Sequence, residues 1–227
     1  MKKVRAAVTT RVVQEPNYHE IRDSISHDLI NFLYKQNINP VLIPNSPTLD
    51  FDIVDETDIL IISGGNDILD NYSNKEIEED SFLKAVQVRN NNELELIRRY
   101  ISASKPIFGI CHGLQIINHY YGGNLKLLDS SNKHVNNEHK IKLTDNYLKE
   151  LFSADEVLVN SYHNYVIDTL GQDLEILGLS DDGVIEAIGN EADKIFAIMW
   201  HPERSFSDKV AFNFNSRIIN YYMDFIK

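Results

Sequence analysis

The sequence contains a single cysteine in 227 residues. One cysteine cannot close a disulfide within the chain, and it excludes a metal site built from several cysteines. A disulfide-stapled secreted fold is therefore ruled out. The composition agrees instead with a reducing compartment, and we expect the protein to be cytoplasmic.

Positive charge is scarce as well, because the chain has 22 Lys and Arg residues and 34 Asp and Glu residues, which gives a net charge of −12. This balance argues against a nucleic-acid backbone or an anionic membrane as the main partner. The sequence also lacks a run of about 20 apolar residues that could span a membrane. Polar residues soon interrupt the basic start at residues 1–5, so we expect no signal peptide. A small-molecule partner is expected, and a homodimer is left open.

Apolar residues make up 43% of the chain, which is enough for a globular core, and we treat residues 1–227 as one domain. Short apolar runs predict strands at residues 4–8, 38–43, 58–62 and 106–110. Apolar residues at helical spacing predict helices over residues 21–36 and 93–101. This alternation of strands and helices indicates a parallel sheet covered by helices.

The second half of the chain has closely spaced strands, which favours antiparallel pairing. We predict strands at residues 140–144, 156–162, 174–179, 184–188 and 195–200. A short helix is predicted at residues 146–152 and a terminal helix at 207–227, while residues 9–19 and 70–80 are predicted loops. The fold class is therefore α/β, with a mostly parallel central sheet flanked by helices and an antiparallel extension in the C-terminal half.

The cysteine lies in Gly109-Ile110-Cys111-His112-Gly113, between a predicted strand and a helix that runs to about residue 121. A nucleophile on such a turn needs glycines two residues before and after it, because the strand and the helix pass close together. The N-terminus of the helix also offers N–H groups to a developing anion. We interpret Cys111 as a nucleophile, with a buried structural cysteine as the alternative.

A thiol nucleophile needs a base, and His201 is the best placed of the eight histidines. It ends a predicted strand and is followed by Pro202 and Glu203. Residues two apart in an extended segment point to the same side, so Glu203 can hold the imidazole in one orientation. A plain turn at the end of a strand is the alternative. In a parallel sheet, loops at the carboxyl ends of strands line the site, which brings residues 9–18 and 64–67 to Cys111.

Several other polar residues have weaker claims to a role. His134 and His139 form a His-x₄-His pair, but no carboxylate or cysteine completes a metal site, so we expect them at the surface or the pocket rim. Arg11 and Arg204 adjoin the predicted active-site loops and could hold an anionic leaving group or be surface charges. Tyr18 could contact substrate or pack. We expect no metal and no cofactor.

The elbow segment through Gln115, together with Trp200-His201-Pro202-Glu203, resembles the class I glutamine amidotransferase superfamily. Residues 64–67 resemble its oxyanion loop, residues 159–163 its Asn-Ser-x-His segment, and residues 182–187 its Asp-Gly-x-Ile-Glu-Ala hairpin. The likeness covers nearly the whole chain. Within the superfamily it is strongest to the γ-glutamyl hydrolase branch, of the γ-glutamyl-γ-aminobutyrate hydrolase type. That resemblance implies a flavodoxin-like sheet and cleavage of a γ-glutamyl amide through a thioester.

The resemblance also implies roles for individual residues. Cys111 would be the nucleophile, His201 the general base and then acid, and Glu203 the orienting carboxylate. The backbone N–H groups of Gly65 and His112 would form the oxyanion hole. The residues expected to contact the glutamyl group are Gly64, Gln115, Asn160, Ser161, Tyr162 and His163.

One departure concerns the Arg-Asp-x-x-Glu pattern of the branch, which here reads Arg89-Asn90-Asn91-Asn92-Glu93, so the role of Arg89 is left open. The main hypothesis is a hydrolase that acts alone and releases glutamate with an amine or a phosphoramidate. The chain as a whole also resembles hydrolases of a γ-glutamyl-linked cytidine nucleotide phosphoramidate of capsule biosynthesis. The alternatives are a glutaminase subunit that supplies ammonia to a separate synthetase, and a non-catalytic binding protein.

Overall fold

We describe the protein in a computed structural model, over residues 3–68, 74–128, 134–145, 148–150, 154–204 and 218–219. The first half of the chain contains β1 (Val4–Thr9), β2 (Arg11–Gln14), β3 (Ile21–Ser24), α1 (His27–Lys35), β4 (Ile38–Ile43), α2 (Ile53–Glu56), β5 (Ile59–Ile62), α3 (Asn74–Glu79), α4 (Ser81–Ser102), β6 (Ile107–Ile110) and α5 (His112–Tyr120). The second half contains β7 (Asn124–Leu127), β8 (Val135–Leu143), β9 (Glu156–Tyr162), β10 (Tyr165–Thr169), β11 (Glu175–Ser180), β12 (Ile185–Asn190) and β13 (Ile195–Ile198).

Nine of these strands form one sheet in the order β4-β1-β5-β6-β13-β12-β11-β8-β9. The pairings from β4 to β13 are all parallel, and those from β13 to β9 are all antiparallel. By chain order the five parallel strands run 2-1-3-4-5, as in flavodoxin-like folds. The predicted fold class is confirmed, including its antiparallel extension.

The sheet is apolar on both faces. Alternate residues of β1, β5 and β6 enter separate core clusters, because successive side chains of a strand point to opposite faces. One cluster packs on Leu29 and Leu33 of α1, and it includes Ile218 and Ile219. The other packs on Leu96 and Ile97 of α4 and on the apolar side of α5. The carboxyl ends of β5, β6 and β13 therefore meet at one edge, between helices.

The predicted loop at residues 9–19 and helix at residues 21–36 are partly wrong. Residues 11–24 form the antiparallel hairpin β2–β3, and α1 begins only at His27, where the Ser26 side chain accepts the N–H of Asp28. The sequence spacing misleads because Ile21 and Ile25 are four residues apart, as in a helix. In the fold they belong to different apolar clusters.

The predicted loop at residues 70–80 is also wrong over its described part. Residues 74–79 form α3, and Asp80 then caps α4 by accepting the N–H groups of Phe82 and Leu83. The one apolar residue of α3, Ile77, is buried against Val12 and Val86. A single anchoring residue gives too little periodicity for a helix to be predicted from sequence.

The strands predicted in the C-terminal half are present, and one of them, β8, is longer than predicted. The strand predicted at residues 140–144 is β8, which starts at Val135, and β7 and β10 pair in a small sheet that was not predicted. The helix predicted at residues 146–152 is helical over its described residues, 148–150. Of the helix predicted at 207–227, residues 218–219 are described and helical, and the rest lies outside the described residues. In the part of the chain that the structure describes, no helix is long and apolar enough to cross a membrane.

Candidate active site

Cys111 lies at the turn between β6 and α5, where the backbone is strained. Its φ of 53° and ψ of −100° fall outside the regions that side chains allow without cost. A Cβ on Gly109 would lie 2.7 Å from the backbone of Gly113, and one on Gly113 would lie 2.5 Å from the Ile62 carbonyl oxygen. Gly109 is therefore required where β6 passes α5, and Gly113 is required where α5 packs on β5.

His201 and Glu203 follow β13, the neighbour of β6 in the sheet. The Cys111 N–H donates to the Ile198 carbonyl at 2.8 Å, which fixes the elbow beside the end of β13. The His201 Nδ1–H donates to Glu203 Oε1 at 2.7 Å, and both side chains are almost fully buried. The glutamate therefore orients the imidazole with its other nitrogen toward the thiol.

The protonation of His201 follows from these contacts. Burial is the largest influence and lowers the His201 pKa, but hydrogen bonds and charge interactions with Cys111 and Glu203 outweigh it and raise the pKa to about 9. At neutral pH the imidazole therefore carries a proton. A cysteine beside an imidazole that is held by a carboxylate is the arrangement expected for an activated thiol nucleophile.

Asn160 of β9 holds the backbone of His201 in place. Its Oδ1 accepts the His201 N–H and its Nδ2–H donates to the His201 carbonyl, each at 2.9 Å. This pair of bonds anchors the start of the His-Pro-Glu segment to the antiparallel part of the sheet. The side chain of Asn160 thus holds the His201 backbone in this structure, and its predicted contact with substrate stays a prediction.

The loop after β5 brings Gly64 close to His201 and Cys111, and Gly65 close to Arg89. A Cβ on Gly64 would lie 2.7 Å from His201 Cε1 and 3.6 Å from Cys111 Cβ. A Cβ on Gly65 would lie 2.1 Å from Arg89 Nη1. Only glycines leave room for these neighbours. His112 is the first residue of α5, so its N–H has no acceptor within the helix, and its place with Gly65 in an oxyanion hole stays a prediction.

A buried ion network stands behind this loop. Arg89 donates from Nε to Glu93 Oε1 at 2.9 Å, from Nη2 to the Ser63 carbonyl at 2.8 Å and from Nη1 to Asn66 Oδ1 at 3.1 Å. The His112 Nε2–H donates to Glu93 Oε2 at 2.6 Å. The His112 side chain therefore faces away from the cleft.

The charges of this network are matched. Burial raises the Glu93 pKa, but Arg89 and His112 more than compensate and lower it to about 2. Burial lowers the pKa of His112, and Arg89 lowers it further, against the opposing effect of Glu93. Arg89, left open from the sequence, is thus a buried support of the glycine loop. Its i,i+4 spacing from Glu93 was the one available signal.

These elements enclose a cleft of about 580 Å³, which is large enough for a metabolite. Cys111, His201, Gly64 and Gly65 lie along one side. The rest of the lining comes from the β2–β3 hairpin, the start of α1, the residue after β5, the end of β9 and the segment after β13. These residues are Arg11, Ser24, Ile25, Ser26, Asp28, Leu29, Ser63, Tyr162, Glu203 and Arg204. The Arg204 guanidinium lies 4.2 Å from the centre of the Tyr162 ring, and Arg11 and Arg204 both line the cleft that contains Cys111.

The peptidase C26 family matches residues 6–203, most of the chain. The chain belongs to this family. Among its relatives, the γ-glutamyl-CDP-amidate hydrolase of Campylobacter jejuni is 31% identical over 201 residues, covering 87% of this chain and 88% of the relative. The glutamine amidotransferase-like protein YvdE of Lactococcus lactis is also 31% identical, over 64% of this chain and 66% of the relative.

A solved structure supports the same fold for this C26 protein. The glutamine amidotransferase of Thermotoga maritima superposes with a TM-score of 0.63 at 16% identity, covering 99% of this chain and 84% of that one. At this identity the likeness concerns the fold alone. The solved structure confirms the predicted architecture, and the C26 family supports the resemblance to class I glutamine amidotransferases and the assignment as a hydrolase.

The remaining predicted substrate contacts of this C26 protein lie behind the cleft wall. Gln115 is buried on α5 and donates to the Tyr165 carbonyl at 3.3 Å. The Ser161 hydroxyl donates to the His134 carbonyl at 2.6 Å, and His163 Nδ1 donates to the Tyr165 carbonyl at 3.1 Å. Their direct contact with a substrate stays a prediction. Tyr18 is 54% exposed and is not part of the cleft lining.

The expectation for His134 and His139 is wrong. His134 is buried and His139 is half-buried, with both imidazoles facing the buried carboxylate of Glu186. That glutamate belongs to the Asp-Gly-x-Ile-Glu-Ala hairpin and lies some fifty residues away along the chain. The carboxylate missing from the neighbouring sequence is supplied by the antiparallel sheet.

Proposed function

We propose that this protein hydrolyses a γ-glutamyl amide through a γ-glutamyl thioester on Cys111, with His201 and Glu203 as base and orienting acid. The observation that carries the proposal is the arrangement at the cleft. A cysteine on a strained elbow faces an imidazole that is held by a buried carboxylate, beside a loop of two glycines. The γ-glutamyl-CDP-amidate hydrolase relative supports the γ-glutamyl specificity.

The reaction begins with the Cys111 thiolate and the His201 imidazolium. The sulfur attacks the γ-carbonyl carbon, and the N–H groups of Gly65 and His112 receive the negative oxygen. His201 donates its proton to the leaving nitrogen as the C–N bond breaks. The neutral imidazole then takes a proton from water, whose oxygen attacks the thioester. Glutamate leaves, and the thiolate–imidazolium pair is restored.

The leaving group is proposed to be anionic, as in a phosphoramidate carried on a nucleoside diphosphate such as CDP. The chain has a net charge of −12, so an anion needs local positive charge. Arg11 and Arg204 supply it, since both border the cleft that contains Cys111. Arginine forms paired hydrogen bonds to phosphate oxygens, and the Tyr162 ring holds the Arg204 guanidinium in a fixed direction.

A panel of γ-glutamyl conjugates tests the proposal. The purified full-length chain is incubated with γ-glutamyl-CDP-amidate, γ-glutamyl-γ-aminobutyrate, a neutral γ-glutamyl alkylamide and glutamine, and released glutamate is measured. We expect turnover of the conjugates without any partner protein, with the phosphoramidate preferred. Quenching during turnover should trap one glutamyl group on Cys111, seen as a mass increase that is absent from Cys111→Ala.

The competing activity is that of a glutaminase subunit. Such a subunit would release ammonia from glutamine and would have almost no activity without its synthetase. Turnover of glutamine alone at a rate equal to that of the conjugates would contradict the hydrolase assignment. Turnover of neutral conjugates with no preference for the phosphoramidate would keep the γ-glutamyl hydrolase and overturn the anionic leaving group.

A further inference from the structure

A second cluster of ionisable side chains lies in the antiparallel part of the sheet. Its centre is Glu186 of β12, whose side chain is completely buried. His134, His139 and His163 each place a ring nitrogen 3.2–3.3 Å from the same oxygen, Glu186 Oε1. His134 and His163 are almost fully buried as well. The proposed reaction uses none of these groups.

The hydrogen bonds at the far side of two rings fix which nitrogen faces Glu186 without a proton. His163 donates from Nδ1 to the Tyr165 carbonyl, so in the neutral ring Nε2 presents a lone pair to the carboxylate. His134 donates from Nε2 to Asp182 Oδ2 at 3.1 Å, so in the neutral ring Nδ1 carries a lone pair, with Glu186 Oε1 at 3.3 Å and Ser161 Oγ at 3.4 Å. Two lone pairs that face a carboxylate oxygen repel it unless a proton or a metal ion lies between them.

The contacts also lack the alignment of ordinary hydrogen bonds. Among the described residues, neither oxygen of Glu186 has a hydrogen-bond partner, and neither does His163 Nε2. A buried carboxylate in this state is costly, because buried polar groups are normally satisfied. The ring nitrogens lie close to Oε1 but are not aligned with it for hydrogen bonding. Metal ligands show the same arrangement, because each ligand points at the shared ion and not at its neighbours.

The distances fit such an ion. Zn²⁺ binds imidazole nitrogens and carboxylate oxygens at about 2.0–2.1 Å with tetrahedral geometry, which separates neighbouring ligand atoms by roughly 3.3 Å. The nitrogen–oxygen distances are 3.2–3.3 Å. The donor atoms of His134, His163 and Glu186 all lie within 4.8 Å of one another.

We propose that His134, His163 and Glu186 bind a divalent transition-metal ion, with Zn²⁺ as the best match. Asp182 accepts a hydrogen bond from His134 Nε2, and the Tyr165 carbonyl accepts one from His163 Nδ1. Such bonds from the nitrogen that does not bind the metal orient metal-bound histidines. His139 lies next to the proposed site, with its Nε2 at 3.2 Å from Glu186 Oε1, and is not one of the three ligands. The ion would join β12, the segment before β8 and the end of β9, the strand whose Asn160 holds the His201 backbone. Its role is structural, since it lies outside the cleft.

Metal content and thermal stability test the proposal on the full-length chain without a histidine tag. The protein is incubated with excess Zn²⁺, separated from free ion by gel filtration, and analysed by mass spectrometry for zinc. We expect about one equivalent in the wild type and at least a hundredfold weaker binding in Glu186→Gln and His163→Gln. His27→Gln, which changes an exposed histidine at the start of α1, should retain the wild-type content.

The melting temperature gives an independent readout that does not depend on the variants folding. A chelator should lower the melting temperature of the wild type and added Zn²⁺ should restore it, because an ion that binds only the folded state stabilises it. A wild type that retains less than about a tenth of an equivalent of zinc and melts identically with chelator and with Zn²⁺ overturns the proposal. Protons would then hold the cluster together.

Discussion

Removing the charge of Glu203 should shift the pH dependence of the reaction. The wild type needs a protonated His201, whose pKa is raised to about 9, so kcat/KM should fall as the pH rises through about 9. Glu203→Gln keeps the shape of the side chain and removes the carboxylate that stabilises the imidazolium. The alkaline limb should therefore move to lower pH in the variant.

The size of this shift follows from the contact. The His201–Glu203 bond is 2.7 Å long, and both side chains are at most 6% exposed, so solvent screens it little. A hydrogen bond to a charged group contributes about 1.5–3 kcal/mol, and about 1.4 kcal/mol corresponds to one pH unit. The limb should thus move down by about one to two pH units, and kcat should fall by about 10²–10⁴ as general acid–base catalysis is impaired.

The assay measures kcat/KM from pH 6 to about 10 on a γ-glutamyl alkylamide, for the wild type, Glu203→Gln and one control variant. The α-amino group of the substrate titrates equally with each enzyme. A difference between enzymes in the pH of the alkaline limb therefore reports the pKa of the His201 imidazole. Glu156→Gln, which changes an exposed carboxylate on β9, is the control and should match the wild type. An alkaline limb that stays at the wild-type pH in Glu203→Gln would refute the role of Glu203.

Three further substitutions probe the supports of the site. Gly64→Ala should lower kcat by at least about a hundredfold with little loss of stability, because the new Cβ would lie 2.7 Å from His201 Cε1. Glu93→Gln should lower the free energy of unfolding by about 3–5 kcal/mol at pH 7, because it leaves Arg89 as an unpaired buried charge. Arg204→Ala should raise KM for the phosphoramidate conjugate about tenfold and leave KM for a neutral alkylamide nearly unchanged.

Each of these expectations has a clear contrary result. Wild-type kcat in Gly64→Ala would show that His201 need not occupy its observed position. The Glu93 pKa is lowered to about 2, so its stabilising effect is present above about pH 4.5 and lost as the pH falls toward 2. Urea unfolding that shows the same acid loss in Glu93→Gln would exclude that carboxylate as the source. Equal effects of Arg204→Ala on charged and neutral substrates would remove Arg204 from the leaving-group site.

The local parts of this structure could be predicted from sequence. The parallel strands are short apolar runs, buried on both faces, and Cys111 sits between glycines whose spacing reflects a real crossing of β6 and α5. Glu203 follows His201 by two residues, so their contact is set by the local chain. The hairpin β2–β3 was missed because Ile21 of β3 is spaced from Ile25 as in a helix, while β2 falls in a stretch that was predicted as a polar loop.

The long-range parts could not be predicted in the same way. Glu93 binds the His112 ring 19 residues further along the chain, and Asn160 binds the His201 backbone 41 residues away. The histidine cluster depends on Glu186, which approaches His134 only through the pairing order of the antiparallel strands. Sequence spacing carries no information on such contacts, so the partners of these residues are known only from the fold.

The central claim is that the Cys111 sulfur forms the bond to the γ-glutamyl group. The most direct measurement is the rate of glutamate release from a γ-glutamyl conjugate by Cys111→Ala, relative to the wild type under the same conditions. Loss of a covalent nucleophile should lower kcat by at least about a thousandfold, with the melting temperature preserved. A variant that folds and retains a rate within about tenfold of the wild type would contradict the account.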